Sequence, residues 1–143
     1  MTGKIALEEH FIHPDFVEYL GKTAPNISPE LFGKAVGKLQ DFGEQRLSAM
    51  DSIGVQKSIL SLAGPGVQAE PIMTRAVDLA RKANDFLAES IQDNQDRYGG
   101  FAHLALQNPA EAANELERST KELGFSGALI NGCTNGAYLD DDR

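Results

Sequence analysis

Short apolar segments recur along this chain, separated by stretches in which apolar residues follow helical spacing. The segments lie at residues 5–7, 55–62, 98–106 and 125–131. Apolar runs, rather than strict alternation of apolar and polar positions, are typical of strands that are buried on both faces. We therefore predict four strands, the first of which leads from residues 5–7 into Glu8, Glu9 and His10.

The interval between the first two strands divides into two parts. Leu47, Met50 and Ile53 recur at three-residue spacing, which predicts a helix over residues 41–53 with Gly54 as its C-cap. Residues 21–43 are rich in glycine and proline, so we predict a long loop with short helical pieces at most. Long loops in compact domains often act as lids over functional sites.

Two further helices are predicted later in the chain. The stronger one covers residues 74–92, with an inward-facing stripe formed by Val77, Ala80, Ala83, Asn84, Leu87 and Ile91. The other covers residues 110–123. There Asn108 is suited to the N-cap, Pro109 to the first helical position and Gly124 to the C-cap.

The alternation of strands and helices predicts an α/β fold with a parallel sheet. Two architectures share this order, an open doubly wound sheet and half of a (β/α)8 TIM barrel. The first requires a glycine-rich phosphate turn after the first strand, whereas here no glycine follows before Gly21. Barrels place their functional residues at the carboxyl ends of strands. We therefore predict one domain, residues 1–143, forming the N-terminal half of a metal-dependent TIM barrel.

Charge and composition restrict the partners of this domain. The 143 residues include 21 acidic and 13 basic side chains, a net charge of −8, which argues against nucleic acid because phosphate binding needs clustered Lys and Arg. No apolar stretch approaches the roughly 18 residues of a membrane span, and no signal peptide is apparent. With Cys133 as the single cysteine, we expect a cytoplasmic protein that does not contact membranes.

A carboxylate and an imidazole end the first predicted strand. Glu8 and His10 are two residues apart, so a strand projects their side chains to the same face. Carboxylate oxygens and imidazole nitrogens are common ligands of divalent metals, which makes these residues candidate metal ligands. The alternative is a solvated strand end. Catalytic zinc sites usually take three protein ligands, so these two form part of a site.

Other candidate residues each allow two interpretations. His103, in the third predicted strand, is either a further ligand or a hydrogen-bonded core residue. Asn131, at the end of the fourth, either binds substrate or forms a turn. Pro65 and Gly66 allow the backbone to approach a ligand closely, or are ordinary loop residues. We expect His13 to be exposed to solvent, and the acidic run at residues 140–143 to be a solvated loop.

Five separated segments together resemble the amidohydrolase-related decarboxylases. They occur in the right order at residues 3–11 (GKIALEEHF), 59–68 (ILSLAGPGVQ), 83–85 (AND), 96–102 (DRYGGFA) and 123–132 (LGFSGALING). Within that group the chain is most similar to the γ-resorcylate and 2,3-dihydroxybenzoate decarboxylases. The similarity extends over essentially the whole chain.

The resemblance implies a metal-dependent carboxy-lyase that removes carbon dioxide from a hydroxylated aromatic acid. It implies Glu8 and His10 as ligands of a divalent metal, zinc or manganese, and no organic cofactor. It also implies that Ala63, Pro65 and Asn131 line the pocket of a small aromatic carboxylic acid. Some members of the group have Ala in place of His10, so His at this position favours the γ-resorcylate branch.

The same resemblance implies that these residues hold only part of an active site. Family members take further metal ligands and a catalytic histidine from later strands, so the catalytic residues are left open. We expect no turnover by this chain alone, and we expect homo-oligomers because half a barrel exposes strand edges. Two alternatives are a metal-dependent hydrolase of a small ester, lactone or amide, and an inactive binding or assembly module.

Overall fold

The computed structural model describes residues 3–23 and 25–141. In chain order the elements are β1 (Lys4–Phe11), a 3-10 turn (Pro14–Phe16), α1 (Val17–Thr23), α2 (Pro29–Leu39), α3 (Glu44–Ile53), β2 (Val55–Leu62), a second 3-10 turn (Gly66–Ala69), α4 (Met73–Ile91), a third 3-10 turn (Gln92–Asn94), β3 (Tyr98–Gly100), α5 (Pro109–Lys121), β4 (Cys133–Thr134) and β5 (Ala137–Tyr138). Of the acidic run at residues 140–143, Asp142 and Arg143 lie outside the described residues.

A parallel sheet in the order β1-β2-β3 forms the centre of the fold and confirms the predicted α/β class. The predicted fourth strand is only partly formed, as a parallel bridge between Ala102 and Ala128. The Ala102 N–H donates to Gly127 O (2.8 Å), and the Leu129 N–H donates to Ala102 O (3.2 Å). Gly127 has a φ of 151°, a conformation that interrupts a regular ladder at this point.

β1 lies at the edge of this sheet and contains a bulge. Ala6 pairs with Ser58 and Glu9 with Leu60, so three steps along β1 match two along β2. Ile5 and Leu7 are 62% and 60% exposed, which shows that the prediction of a buried first strand was wrong. The reason is the face that Ile5 occupies: Ile5 pairs with Lys57, which points to the face of β2 opposite to Leu60 and Leu62, so the helices do not cover it.

The predicted long loop over residues 21–43 was also wrong, because most of it forms α1 and α2. The Ser28 side chain accepts a hydrogen bond from the Leu31 N–H, and Pro29 occupies the first turn of α2. This cap contributes about 1 kcal/mol, whereas Gly33 and Gly37 each cost about 1 kcal/mol in a helix. Packing of Val36 and Leu39 against the core also stabilises α2, so capping and packing together form a helix where composition suggests a loop.

The other predicted helices form, with small differences at their ends. Gly54 caps α3 with a φ of 72°, as predicted, although Ile53 at the end of α3 is exposed rather than inward. The N-cap at Asn108 is confirmed, since its side chain accepts from the Glu111 N–H. α5 ends at Lys121, before Gly124, which makes the left-handed turn that follows. No helix in the described ranges combines the length and apolar character needed to span a bilayer.

The hydrophobic core lies between the sheet and α4. Leu60 and Leu62 of β2 pack in one cluster with Phe11 of β1. The inward face of α4 that joins this cluster comprises Ala76, Leu79, Ala80, Ala83, Leu87 and Ile91. Four of the predicted stripe residues belong to this apolar set, and Asn84 is buried beside them. The helices therefore cover one face of the sheet.

Candidate metal and substrate site

The His10 side chain lies on the face of the sheet opposite to the helices. In the parallel register His10 pairs with Ser61, and the next pair is Phe11 with Leu62. Phe11 and Leu62 belong to the core shared with α4, so their side chains face the helix layer. Successive residues of a strand point to opposite faces, which directs His10 and Ser61 away from the helices. In a (β/α)8 barrel, where helices form the outer ring, that face is the interior.

Two hydrogen bonds fix His10. Its Nδ1 lies 3.0 Å from Ser61 Oγ, and its backbone carbonyl accepts a hydrogen bond from Arg46 Nη2 (3.0 Å). Arg46 also bonds the carbonyls of Asp41 and Lys38, so it ties the end of α2 to the end of β1. Burial lowers the pKa of the Arg46 guanidinium from its ordinary value, an effect that nearby Glu9 opposes. The histidine is therefore held at both its ring and its backbone.

Glu8 is exposed and lies within the β1 bulge, one residue before Glu9. A cavity of about 510 Å³ is bordered by residues 8–10 and by Lys38, Arg46 and Ala49. Lys38 belongs to α2, and Arg46 and Ala49 belong to α3, so this cavity lies between β1 and these two helices, with Glu8 and His10 also in its lining. The side chain of Glu9, which pairs with Leu60, is directed to the helix side of the sheet.

Glu8 and His10 are suitable but incomplete as a metal site. In the part of the chain that the structure describes, no group of three or more His, Cys, Asp or Glu side chains could hold a metal ion. A carboxylate and an imidazole whose Nδ1 is already bonded to a neighbour are the donor types that zinc and manganese use. The two residues therefore fit a divalent ion as part of a larger ligand set.

His103 is a hydrogen-bonded core residue. Its Nε2 accepts a hydrogen bond from the Val67 N–H (2.9 Å), and Asn84 bonds both its backbone N–H (2.8 Å) and its carbonyl (3.0 Å). Complete burial lowers the pKa of His103 from 6.5 to about 4, so the ring is neutral. Because Val67 already uses the Nε2 lone pair, the ring has no free nitrogen lone pair for a metal. Of the two interpretations offered by the sequence, the structural one is correct.

Gly66 allows a close approach, but to His103 rather than to a ligand. Its φ is 56°, and a Cβ at this position would lie 2.3 Å from His103 Nε2. At Gly66 the structure therefore favours a role in the core, while the expectation that Pro65 lies against a ligand stays a prediction. His13 also differs from prediction, because its side chain is 17% exposed rather than solvated. It caps the Asp15 N–H and packs edge-on against Phe86, and burial lowers its pKa.

The loop after β2 lies beside Asn131. Ala63 is buried, and its N–H donates to Phe11 O (2.9 Å), so the ends of β1 and β2 are joined. The next residue, Gly64, precedes a cis peptide bond to Pro65. A Cβ on Gly64 would lie 3.4 Å from Asn131 Nδ2. The carboxyl ends of β1 and β2 and the segment that follows Ala128 thus lie at the same end of the parallel strands.

Asn131 is held by the buried side chain of Gln68. Gln68 Oε1 accepts from the Asn131 N–H (2.9 Å), and its Nε2 donates to the carbonyls of Asn131 (3.1 Å) and Cys133 (3.0 Å). Asn131 Nδ2 is buried and has no hydrogen-bond partner within the described residues. Unpartnered buried donors are rare in proteins and costly. This amide nitrogen is therefore a donor that is unused within the described residues.

Three residues that support the site were not identified from the sequence: Ser61, Gln68 and Arg46. Ser61 and Gln68 stand in largely apolar or small-residue surroundings, ILSLAGPGVQA, where a buried polar residue suggests a specific partner. Arg46 lies in the short helix α3, where an arginine normally indicates only a solvated face. For this residue the sequence carries no distinguishing signal.

A known protein family matches most of this chain. The family model described as "Amidohydrolase" matches residues 10–143, and the chain belongs to this family. Among characterised relatives, it is 46% identical over 140 residues to the γ-resorcylate decarboxylase of Rhodococcus jostii (strain RHA1). It is 47% identical over 133 residues to that of Polaromonas sp. (strain JS666). These alignments cover 98% and 92% of this chain, but only 42% and 40% of the relatives' own lengths.

Solved structures agree with this placement. A 2,6-dihydroxybenzoate decarboxylase crystallised with 2,6-dihydroxybenzoate has a TM-score of 0.85 and 42% identity, covering 92% of this chain and 40% of its own. The dihydroxybenzoic acid decarboxylase of Polaromonas sp. JS666, with bound manganese and the inhibitor 2-nitroresorcinol, has a TM-score of 0.85 and 45% identity, with coverages of 92% and 39%. The fold is thus part of an amidohydrolase TIM barrel, as predicted.

Proposed function

We propose that this chain carries the N-terminal part of the active site of a metal-dependent, non-oxidative decarboxylase of hydroxylated aromatic acids. Glu8 and His10 act as metal ligands, and Ala63, Pro65 and Asn131 line the substrate pocket. The observation that carries the proposal is the unpartnered Asn131 amide, which lies beside Gly64 just after β2, the strand that pairs with β1 at His10. The similarity to γ-resorcylate decarboxylases over 98% of the chain supports the substrate class.

The donor types favour a divalent metal such as manganese or zinc, without an organic cofactor. Manganese is bound in the Polaromonas structure and also in the 5-carboxyvanillate decarboxylase of Novosphingobium aromaticivorans. When bound, such an ion stabilises the negative charge that develops on substrate oxygens. In this chain the ligands are Glu8, in the bulge, and His10, whose Nδ1 is already bonded to Ser61.

The remaining contribution of these residues is positioning. Asn131 Nδ2 donates a hydrogen bond to an oxygen of the aromatic acid, and Gln68 holds the Asn131 backbone in place. The buried Ala63 methyl and the Pro65 ring form apolar walls for the aromatic ring and limit access of water. When carbon dioxide leaves, the electrons of the broken bond stay on the ring and a proton takes its place. We assign no proton donor among these residues.

Self-association also forms part of the proposal. Ile5 and Leu7 are exposed, and among the described residues β1 pairs with β2 alone, so it presents an edge strand, which readily pairs with another chain. We infer that the protein forms homo-oligomers, and that it resides in the cytoplasm because its one cysteine, Cys133, is a free thiol. Sedimentation of the purified chain tests the first point, since a monomer at all concentrations contradicts it.

Manganese binding tests the metal assignment. Mn²⁺ is added to the purified chain and free ion is measured by electron paramagnetic resonance. We expect Glu8→Gln and His10→Asn to weaken binding, whereas Glu9→Gln, a matched carboxylate on the helix side of the sheet, leaves it unchanged. Equal binding by all three variants contradicts the proposed ligands and favours an inactive binding module.

Turnover is a separate test. Because the chain spans about 40% of its relatives' length, we expect no carbon dioxide release from 2,6-dihydroxybenzoate by this chain alone. We expect release from a longer fusion protein in which a relative supplies the remaining strands. Release by the isolated chain at the rate of a relative contradicts the view that its site is partial.

A further inference from the structure

We propose that Ser61 is a positioning residue that fixes the tautomer of His10, so that Nε2 carries the free lone pair. The use of that lone pair by a metal rests on the proposed function, whereas the tautomer itself does not. Three atoms set this tautomer: His10 Nδ1, Ser61 Oγ and the backbone oxygen of Glu9. Ser61 sits on β2, which pairs with β1 on one side and with β3 on the other.

The direction of the two hydrogen bonds follows from the Glu9 carbonyl oxygen, which is the acceptor in one of them. Ser61 Oγ lies 3.0 Å from His10 Nδ1 and 3.4 Å from the Glu9 carbonyl oxygen. A carbonyl oxygen can only accept, so the Ser61 hydroxyl hydrogen is donated to Glu9. The Ser61 oxygen then accepts from His10 Nδ1–H. A neutral imidazole carries one ring N–H, which leaves the lone pair on Nε2.

This arrangement suits a metal ligand. A metal binds the lone pair of a neutral imidazole, and the nitrogen that bears the lone pair is set by the hydrogen bond of the other nitrogen. Ser61 is 1% exposed and lies directly opposite His10 in the register, so its hydroxyl has little freedom. Within the described residues, the bond to Ser61 is the one that the His10 ring makes.

The packing of β2 gives a further reason to assign Ser61 a role. Its neighbours along the strand, Leu60 and Leu62, are buried apolar residues of the core. A buried hydroxyl is stabilising only when its hydrogen bonds are made. Ser61 makes them to β1 alone among the described residues, at the step where His10 lies. The hydroxyl thus serves the histidine rather than the core.

Nitrogen NMR of the metal-free chain tests the tautomer directly. The protein is labelled with ¹⁵N-histidine and examined at about pH 8, where an ordinary imidazole is neutral. His10→Asn identifies the His10 signals. We expect a protonated Nδ1 and an unprotonated Nε2 in the wild type. We expect a mixture of tautomers in Ser61→Ala, and recovery of the wild-type pattern in Ser61→Thr, which retains the hydroxyl.

Ser58→Ala is the matched control. Ser58 is a buried serine on the same strand, but it pairs with Ala6, so its loss removes a hydroxyl without touching His10. We expect Ser58→Ala to leave the His10 spectrum unchanged, which separates positioning from a general effect on β2. A wild-type His10 protonated mainly at Nε2, or a His10 spectrum that Ser61→Ala does not alter, overturns the inference.

Mn²⁺ affinity provides the second measurement. Loss of such a supporting hydrogen bond typically weakens metal binding by about 10- to 100-fold, which we expect for Ser61→Ala and not for Ser58→Ala. The predicted tautomer without any Mn²⁺ binding contradicts the proposed function and upholds the role of Ser61. Mn²⁺ binding with equal affinity in the wild type and Ser61→Ala contradicts the positioning role and leaves the metal function standing.

Discussion

Two histidines of this chain use their ring nitrogens differently. His103 accepts the Val67 N–H at Nε2 in the core, and His10 is bonded at Nδ1 by Ser61 at the carboxyl end of β1. Burial keeps the His103 ring neutral with its lone pair on Nε2, and the tautomer proposed for His10 places its lone pair on the same atom. The His103 lone pair accepts a backbone hydrogen bond from Val67, whereas the His10 lone pair has no partner within the described residues. The same contrast separates Gln68, whose amide is fully bonded, from Asn131, whose Nδ2 has no partner in the described chain.

Bonded and open polar groups have different roles in this chain. A buried polar group with its bonds made contributes to folding, and its removal leaves its partners unsatisfied. A polar group left open makes a smaller contribution to folding and can serve a ligand. We therefore expect substitution of a bonded group to lower stability more than substitution of an open one.

Replacing His103 has the largest expected effect. His103→Ala creates a cavity and leaves the Val67 N–H without its acceptor, so we expect a loss of about 3–5 kcal/mol in the free energy of unfolding. His10→Ala loses one partly exposed hydrogen bond, for which we expect less than about 1 kcal/mol. Urea unfolding of both variants measures the difference. Similar losses contradict the division between core and site.

Lowering the pH tests the role of His103 without creating a cavity. The unfolded state takes up a proton near pH 6.5, but buried His103 does so only at about 4. Its contribution is therefore complete above pH 6.5 and is lost as the pH falls toward 4, by roughly 3 kcal/mol. His103→Gln keeps an acceptor but does not titrate. We expect the wild type to lose that much more stability than this variant between pH 7 and 4. Parallel pH curves for the two proteins indicate that His103 is not held neutral.

Much of the fold follows from local signals. Capping at Gly54 and Asn108 could be predicted because each residue satisfies backbone groups of its own helix. The hairpin of β4 and β5 carries an Asn-Gly turn, with φ of 48° and 80°, which is a local signal that sequence reasoning missed. The exposure of Ile5 could not be predicted, because it depends on which face of the sheet the helices cover.

The candidate site divides in the same way. Strand parity suggested Glu8 and His10, because alternation is a local property of the backbone. The partners of these residues come from distant parts of the chain: Ser61 lies 51 residues from His10, and Gln68 lies 63 from Asn131. A pattern within one element cannot indicate such pairs. The glycine and proline content of residues 21–43 suggested a loop for a related reason, since it is an average that hides the Ser28 cap.

Gln68 is expected to have an intermediate effect on stability. Gln68→Ala removes the acceptor of the Asn131 N–H and the donor to two carbonyls, so we expect a loss of about 2 kcal/mol. Gln45→Ala, an exposed glutamine on α3, is the control and should change stability by less than about 0.5 kcal/mol. Hydrogen exchange at the Asn131 amide should accelerate in Gln68→Ala alone. Unchanged exchange there contradicts the role of Gln68.

Asn131→Ala has the smallest expected effect on stability and is compared directly with Gln68→Ala. Its Nδ2 has no partner among the described residues, so Asn131→Ala removes a buried donor without leaving any acceptor unsatisfied. We expect a change within about 0.5 kcal/mol on urea unfolding, against the larger loss in Gln68→Ala. In titrations with 2,6-dihydroxybenzoate in the presence of Mn²⁺, we expect Asn131→Ala to lose binding and Gln45→Ala to retain it. A loss of stability equal to that of Gln68→Ala, with ligand binding intact, means that Asn131 belongs to the scaffold, because an amide that supports the fold must already have its partner within the protein.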